Sequence, residues 1–292
     1  MPFADLSDVR CRYEIMGHGD PLLMIAGLGS SCEMWGRVAN QLAQSFTLIL
    51  VDNRNMGQSE PRRVARGLMD LSADMVELLD HLQLDRTHVL GLSLGGIIAQ
   101  RLAIDHPSRV DRLVLVSCTN RFGPYLRQIA KLLELTLRKF PFDIFQRTMN
   151  VLATSPEYFD AHAEEIEAAI AAPCNSIQHR IAIGRQLACL GCEEVAPPSE
   201  YRIQSPTLVL AGARDMLIPS TYAKKMADEI SGSEFVEFPA CGHDPLREIP
   251  QIAIPRVVRF LSRSSDSDGR NGRDAGHMIH GNELMAAMED AT

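Results

Sequence analysis

No stretch of this sequence approaches the ~18 consecutive apolar residues that a bilayer-spanning helix requires. The opening Met-Pro-Phe-Ala-Asp-Leu-Ser-Asp has neither the basic start nor the apolar centre of a secretory leader. Positive charge is in deficit: 29 Lys and Arg stand against 37 Asp and Glu, a net charge of −8, which excludes the basic footprint of a nucleic-acid-binding protein. Cysteine is too sparse and too scattered for a disulfide framework. The seven, Cys11, Cys32, Cys118, Cys174, Cys189, Cys192 and Cys241, are odd in number and widely spaced. Cys189 and Cys192 have the spacing of a redox pair, but neither a second pair nor a histidine cluster accompanies them. Reduced thiols in a cytoplasmic protein without metal or cofactor are the expectation. Tryptophan occurs once, at Trp35, expected to pack the first helix against a sheet or to line a pocket. There are no internal repeats.

What is present is an alternation. Short apolar runs at Leu22 to Ile25, Thr47 to Val51, His88 to Leu90, Leu113 to Val116 and Thr207 to Leu210 are bounded by Gly, Asp, Ser or Pro. Continuous runs of this length suit parallel strands covered on both faces. Helical spacing separates them, at Ser31 to Gln44, Met69 to Leu82, Leu94 to Ile104, Ser220 to Ile230 and Pro250 to Leu261. Strand-helix alternation predicts an α/β fold with a mostly parallel sheet and helices on both faces. Phe3 to Met16 reads as an antiparallel pair at one edge.

The alternation breaks between Asn120 and Tyr201. Four helical patterns follow one another there, Tyr125 to Lys139, Phe142 to Leu152, Tyr158 to Ala171 and Ile177 to Leu190, punctuated by Pro141, Pro156 and Pro173. A helical insertion in an α/β chain is expected to lie as a lid over the carboxyl edge of the sheet, where such sheets bind ligands. The organisation predicted is a core of residues 1–119 and 202–263, a helical cap of 120–201, and a flexible, polar C-terminal tail of 264–292.

Chemistry concentrates at Gly91-Leu92-Ser93-Leu94-Gly95-Gly96. Gly-x-Ser-x-Gly arises by chance in many chains, but here it follows the run His88-Val89-Leu90 directly and opens a helix at Leu94. That strand-turn-helix setting holds a serine on a tight, strained turn and so demands small neighbours. A serine hydroxyl needs a general base, and the base an orienting acid. Asp215 follows the strand Thr207 to Leu210, and His243 follows an expected strand Phe235 to Phe238, giving the order Ser, Asp, His. The loop after the run ending at Val116 holds Ser117, Cys118, Thr119 and Asn120 and no carboxylate. Asp244 beside the base is expected to cap the last helix. Solvated or packed roles suit His88 and His106; His162 and His179 lie in the lid, where they could touch substrate, but a surface role is expected; and the tail histidines His277 and His280 are expected to be exposed. Backbone N–H groups must hold an oxyanion. Leu94, after the serine, and Leu28, in Ala26-Gly27-Leu28-Gly29-Ser30-Ser31, are the candidates. The loop Asp52-Asn53-Arg54-Asn55-Met56-Gly57-Gln58-Ser59 is expected to be structural, with Asp52 and Arg54 bonding loop backbone.

On these motifs the chain resembles the α/β-hydrolase superfamily, within it the cap-bearing esterases, enol-lactonases, C–C hydrolases and cofactor-free haloperoxidases. The likeness runs from about Phe3 to Leu261. It implies an oxyanion loop at Gly27-Leu28-Gly29, an Asp-x-Arg-x-x-Gly-x-Ser loop at Asp52 to Ser59, a nucleophile elbow at Gly91 to Gly96, the acid at Asp215 and the base at His243. Two positions depart from it: Ala26 stands where many members carry His, and Asn55 where many carry Gly. The expected activity is cleavage of a carboxylic ester or lactone of a small to medium, largely apolar substrate. C–C hydrolysis of a vinylogous diketone with the same triad is the alternative, favoured if Arg127, Arg138, Arg180 or Arg185 of the lid reach the pocket. A non-catalytic ligand receptor is a third reading. A small-molecule substrate, no nucleic acid, no membrane span, and a monomer or homodimer are expected.

Overall fold

The computed structural model describes residues 2–61, 67–171, 177–191, 194–197 and 200–263. The tail and Cys174 and Cys192 lie outside them.

The first part of the chain builds most of the sheet. Strands β1 (Phe3–Asp5), β2 (Val9–Gly17) and β3 (Asp20–Ile25) lead through a short 3-10 turn, Cys32–Trp35, into helix α1 (Gly36–Leu42). Then come β4 (Phe46–Val51), the two-residue β5 (Glu60–Pro61), α2 (Leu68–His81), β6 (Thr87–Leu92), α3 (Leu94–Asp105) and β7 (Val110–Val116). After the insertion, β8 (Thr207–Gly212), α9 (Ser220–Glu229) and β9 (Glu234–Phe238) complete the sheet. Helices α10 (Pro245–Glu248) and α11 (Pro250–Leu261) close the described chain. The strand order is β1-β2-β4-β3-β6-β7-β8-β9, with β5 on β2. From β4 across to β9 all neighbours are parallel.

β1 and β2 form the expected antiparallel pair, Phe3 opposite Arg12. β2 also runs antiparallel to β4, with Tyr13 opposite Val51, so it lies inside the sheet. The apolar runs alternate between two cores because side chains on a strand point to opposite faces. Leu23, Ile25, Ile49 and Val51 join Met75 and Leu78 of α2 and Ile98 and Leu102 of α3. Leu22, Met24, Leu48 and Leu50 join Val38 and Leu42 of α1 and Val257 and Phe260 of α11. Trp35 is buried in this second core, so of its two expected places it takes the packing one.

Among the described residues, five helices separate β7 from β8: α4 (Pro124–Lys139), α5 (Phe142–Ala153), α6 (Pro156–Ala161), α7 (Ala163–Ala171) and α8 (Ile177–Gly191). The pattern read as one helix from Tyr158 to Ala171 is two. The backbone leaves helical geometry at His162 (φ −125°), whose Nδ1 turns back to the Tyr158 carbonyl at 2.9 Å. The chain enters α6 earlier than expected, at Pro156, because Pro suits a helix's first position and Ser155 Oγ accepts the Tyr158 N–H at 3.3 Å. Leu126, Leu133, Leu137, Phe142 and Phe145 of the insertion pack on one another and on Met56, Leu217 and Ile218 of the core's loops. This third cluster fastens the helices over the end of the sheet where β3, β4 and β8 finish. No helix among the described residues is long and apolar enough to cross a membrane.

Candidate active site

Ser93 is the first residue past β6 and sits immediately before α3. Its φ is +56°, in the left-handed region that a residue with a Cβ rarely adopts. The turn is this tight because its two flanks touch other backbone. A Cβ on Gly91 would lie 2.3 Å from the Gly95 carbonyl oxygen, and one on Gly95 would lie 2.0 Å from that of Ile25. Any larger residue at either place would push the elbow off the sheet. The hydroxyl-bearing turn is thus held between β3 and α3, and it faces a cavity of about 230 Å³ lined by Leu28, Ser93, Asn150, Tyr158, His243 and Arg247, among others.

Asp215 follows β8, and its carboxylate is fully engaged. Oδ1 accepts the N–H groups of Leu217 at 2.8 Å and Ile218 at 2.9 Å, which fixes the plane of the group. Oδ2 lies 2.6 Å from Nδ1 of His243, which follows β9. An ionised carboxylate only accepts, so the shared proton belongs to Nδ1 and the neutral ring keeps its lone pair on Nε2. That Nε2 is buried and has no hydrogen-bond partner among the described residues. Burial by itself disfavours a charged imidazole. The Asp215 carboxylate, by charge and by hydrogen bond, with Asp244 and Glu248 nearby, outweighs it and raises the pKa above the ordinary histidine value.

Asp244 stays clear of the ring nitrogen. Its Oδ1 accepts the N–H groups of Leu246 at 3.1 Å and Arg247 at 3.2 Å. It therefore caps α10, not α11 as expected, because Pro245 starts a helix one turn earlier.

The loop after β3 is tied at three points. Asn53 Nδ2 donates to the Ala26 carbonyl at 3.0 Å, the Gly29 N–H donates to Gln186 Oε1 at 2.9 Å, and the Cys32 N–H donates to Asp52 Oδ1 at 2.7 Å. The Leu28 and Leu94 N–H groups are donated to no other described residue. Gly27 lies against the elbow, since a Cβ there would be 3.5 Å from Cβ of Ser93. Ala26 is fully buried and serves through its carbonyl, so no side-chain function is needed at that position.

In the loop from Asp52 to Ser59 both expected anchors are engaged. Asp52 bonds backbone, taking Cys32 and, at 2.9 Å, Gln58. Arg54 makes a two-pronged pair with the buried Asp74 carboxylate of α2, Nε to Oδ2 at 2.7 Å. A fork of planar donors matches a carboxylate better than scattered carbonyls. Asn55 has φ +71°, which Asn tolerates and Gly adopts freely, so the departure from Gly preserves the backbone.

None of the four insertion arginines lines the cavity. Arg127 donates to the Phe122 carbonyl, Arg138 pairs with Glu134, Arg180 donates to the Leu137 and Phe140 carbonyls, and Arg185 reaches Asn55 Oδ1 at 3.1 Å. His162 stacks on Tyr158 and His179 packs edge-on to Phe142; neither lines the cavity. The polar groups that do were missed by sequence reasoning: Asn150, Thr154 and Tyr158 from the insertion, and Arg247 and Glu248 from α10. One signal was readable, since Asp244 followed by Pro245 is a cap and a first helical residue, which brings Arg247 and Glu248 onto one turn beside His243.

A sequence model of the alpha/beta hydrolase fold matches residues 20–248. The chain is 30% identical over 264 residues to a protein of Azorhizobium caulinodans named as the carbamate hydrolase RutD, covering 89% of this chain and 98% of that one. Among solved structures it superposes on the enol-lactonase from Burkholderia xenovorans LB400 with TM-score 0.80 at 21% identity, over 90% of this chain and 100% of that one. It superposes on a thermophilic esterase from Thermogutta terrifontis with TM-score 0.74 at 25% identity, over 88% and 95% of the two chains. Strand order, elbow and matched span agree, and the chain belongs to the α/β hydrolase fold family.

Proposed function

We propose that the protein is a serine hydrolase cleaving a carboxylic ester or lactone, with Ser93 as nucleophile, His243 as general base, Asp215 as orienting acid and the Leu28 and Leu94 N–H groups as oxyanion donors. The observation that carries this reading is the His243 ring, fixed by Asp215 at 2.6 Å with its other nitrogen unpartnered among the described residues, in the cavity that Ser93 faces. His243 Nε2 takes the Ser93 proton as Oγ attacks the carbonyl carbon, and the oxyanion forms against the two N–H groups. The imidazolium returns the proton to the leaving alkoxide. Water, deprotonated by the same nitrogen, then cleaves the acyl-enzyme and regenerates Ser93. The insertion serves as the cap that closes the site, and the cavity suits a small to medium substrate with one apolar and one polar side.

Relatives named for carbamate and enol-lactone hydrolysis keep the carbonyl class broad. A carbamate is a second reading, favoured by the 30% identical relative. The test is a panel of p-nitrophenyl esters of rising acyl length, lactones and aryl carbamates, run on wild type and Ser93→Ala. Turnover of one class that disappears in the variant supports the reading. Equal activity in both proteins overturns it.

A further inference from the structure

We infer that Glu248 is a positioning residue whose carboxylate ties the helical insertion to the loop carrying His243, and so sets the approach of the histidine to Ser93. The inference rests on the serine-hydrolase reading above.

Three donors converge on this one carboxylate. Ser155 Oγ donates to Oε2 at 2.6 Å, the Gly242 N–H donates to Oε2 at 2.9 Å, and the Ser155 N–H donates to Oε1 at 3.2 Å. Ser155 is 1% exposed and caps α6; Gly242 directly precedes the histidine. The same junction between α5 and α6 takes two further bonds from the catalytic loops. The His243 N–H donates to the Ala153 carbonyl at 2.5 Å, and the N–H of Met216, next to Asp215, donates to that of Leu152 at 3.0 Å. Three residues of the insertion within one four-residue stretch, Leu152, Ala153 and Ser155, therefore hold the loops of Asp215 and His243 together.

The packing leaves no slack in this clamp. A Cβ on Gly242 would stand 2.4 Å from the Ala153 carbonyl oxygen and 2.6 Å from both Glu248 Oε1 and the Ser155 nitrogen. The chemistry also requires a carboxylate. All three partners are donors, and an ionised carboxylate accepts at both oxygens, whereas glutamine has one acceptor oxygen and would turn its NH2 toward a donor. A lost bond here moves the backbone at Gly242, one residue from the base. Small displacements of a catalytic group are costly, about a hundredfold in rate for about 1 Å.

The experiment compares full-length wild type with Glu248→Gln, Glu248→Asp and Ser155→Ala. Each is read by the second-order rate of Ser93 labelling with a fluorophosphonate and by the downfield proton resonance of the His243 Nδ1–H. Thermal unfolding midpoints are measured alongside. Expected are labelling slowed about ten- to a hundredfold in Glu248→Gln, a shifted downfield resonance, partial recovery in Glu248→Asp, and a smaller loss in Ser155→Ala, which deletes one bond only. Wild-type labelling and an unmoved resonance in Glu248→Gln overturn the inference, even if the unfolding midpoint falls. If Glu248→Gln does not fold, Ser155→Ala decides by the same two readouts. Failure of the hydrolase reading looks different, because wild type itself then goes unlabelled. The resonance still decides in that event: shifted supports the clamp, unmoved overturns it.

Discussion

Asp215 and His243, 28 residues apart in sequence, meet through one contact of 2.6 Å between Oδ2 and Nδ1. The other carboxylate oxygen is pinned by the N–H groups of Leu217 and Ile218, so the carboxylate is oriented by backbone as well as by the ring. Replacing it with Asp215→Asn keeps the shape. The amide can then turn its NH2 to Nδ1, which forces the ring's proton to the nitrogen that should accept. Turnover is expected to fall about 10³- to 10⁴-fold, with substrate affinity little changed. Steady-state kinetics on the best ester of the panel check the split between kcat and KM.

The pH dependence follows from the same pair. In the proposed mechanism the general base must be neutral, and Asp215, Asp244 and Glu248 together hold the His243 pKa above the ordinary value of about 6.5. The acid limb of kcat/KM is therefore expected above about pH 6.5. Stability runs the other way. A pKa raised by folding contributes stability in full below the unfolded value, and loses it as pH rises through the folded value. Acidification across this window silences the site while tightening the His243–Asp215 pair. Histidine-resolved NMR titration gives the midpoint, and an acid limb below the free-histidine range contradicts the assignment.

Arg54 and Asp74 are each 2% exposed and paired through two bonds. Asp74→Ala removes the carboxylate that takes two of the guanidinium's bonds, which is expected to cost about 1.5–3 kcal/mol. Urea unfolding monitored at the lone Trp35 should show a lowered midpoint at unchanged slope. Since the adjacent Asn53 holds Ala26, ester turnover of the folded fraction should also fall.

Arg247 lies over the Tyr158 ring at 5.4 Å on the cavity wall and is exposed to solvent. Half-esters of dicarboxylic acids should gain from it where neutral esters of equal length do not. Arg247→Gln is expected to raise KM for the half-esters about two- to fivefold, the range of an exposed ion pair, and to leave the neutral esters alone. Matched KM series for the two substrate sets read this directly.

The fold was legible where residues act in runs. Continuous apolar strands and the Gly91 to Gly96 turn predict their own structure, because burial on both faces and backbone crowding act locally. The place of β2 between β1 and β4 was not legible, since an antiparallel strand carries no mark of its second neighbour. That Ser93, Asp215 and His243 stand on loops following β6, β8 and β9 could be read from the sequence. Glu248 could not, because its meaning depends on Ser155, which is 93 residues away and comes near only when the insertion docks. The insertion arginines misled for the complementary reason: helical spacing does not say which charged face turns to water.

The backbone at Ser93 has one more consequence. Its φ of +56° is a geometry glycine would occupy without strain. On the proposed mechanism, a heat-resistance screen randomised at this codon should enrich glycine and return a sturdier protein that lacks the nucleophile. Durability and reactivity are thus set against each other at a single bond rotation, and any programme that evolves this scaffold for robustness has to withhold position 93 from selection.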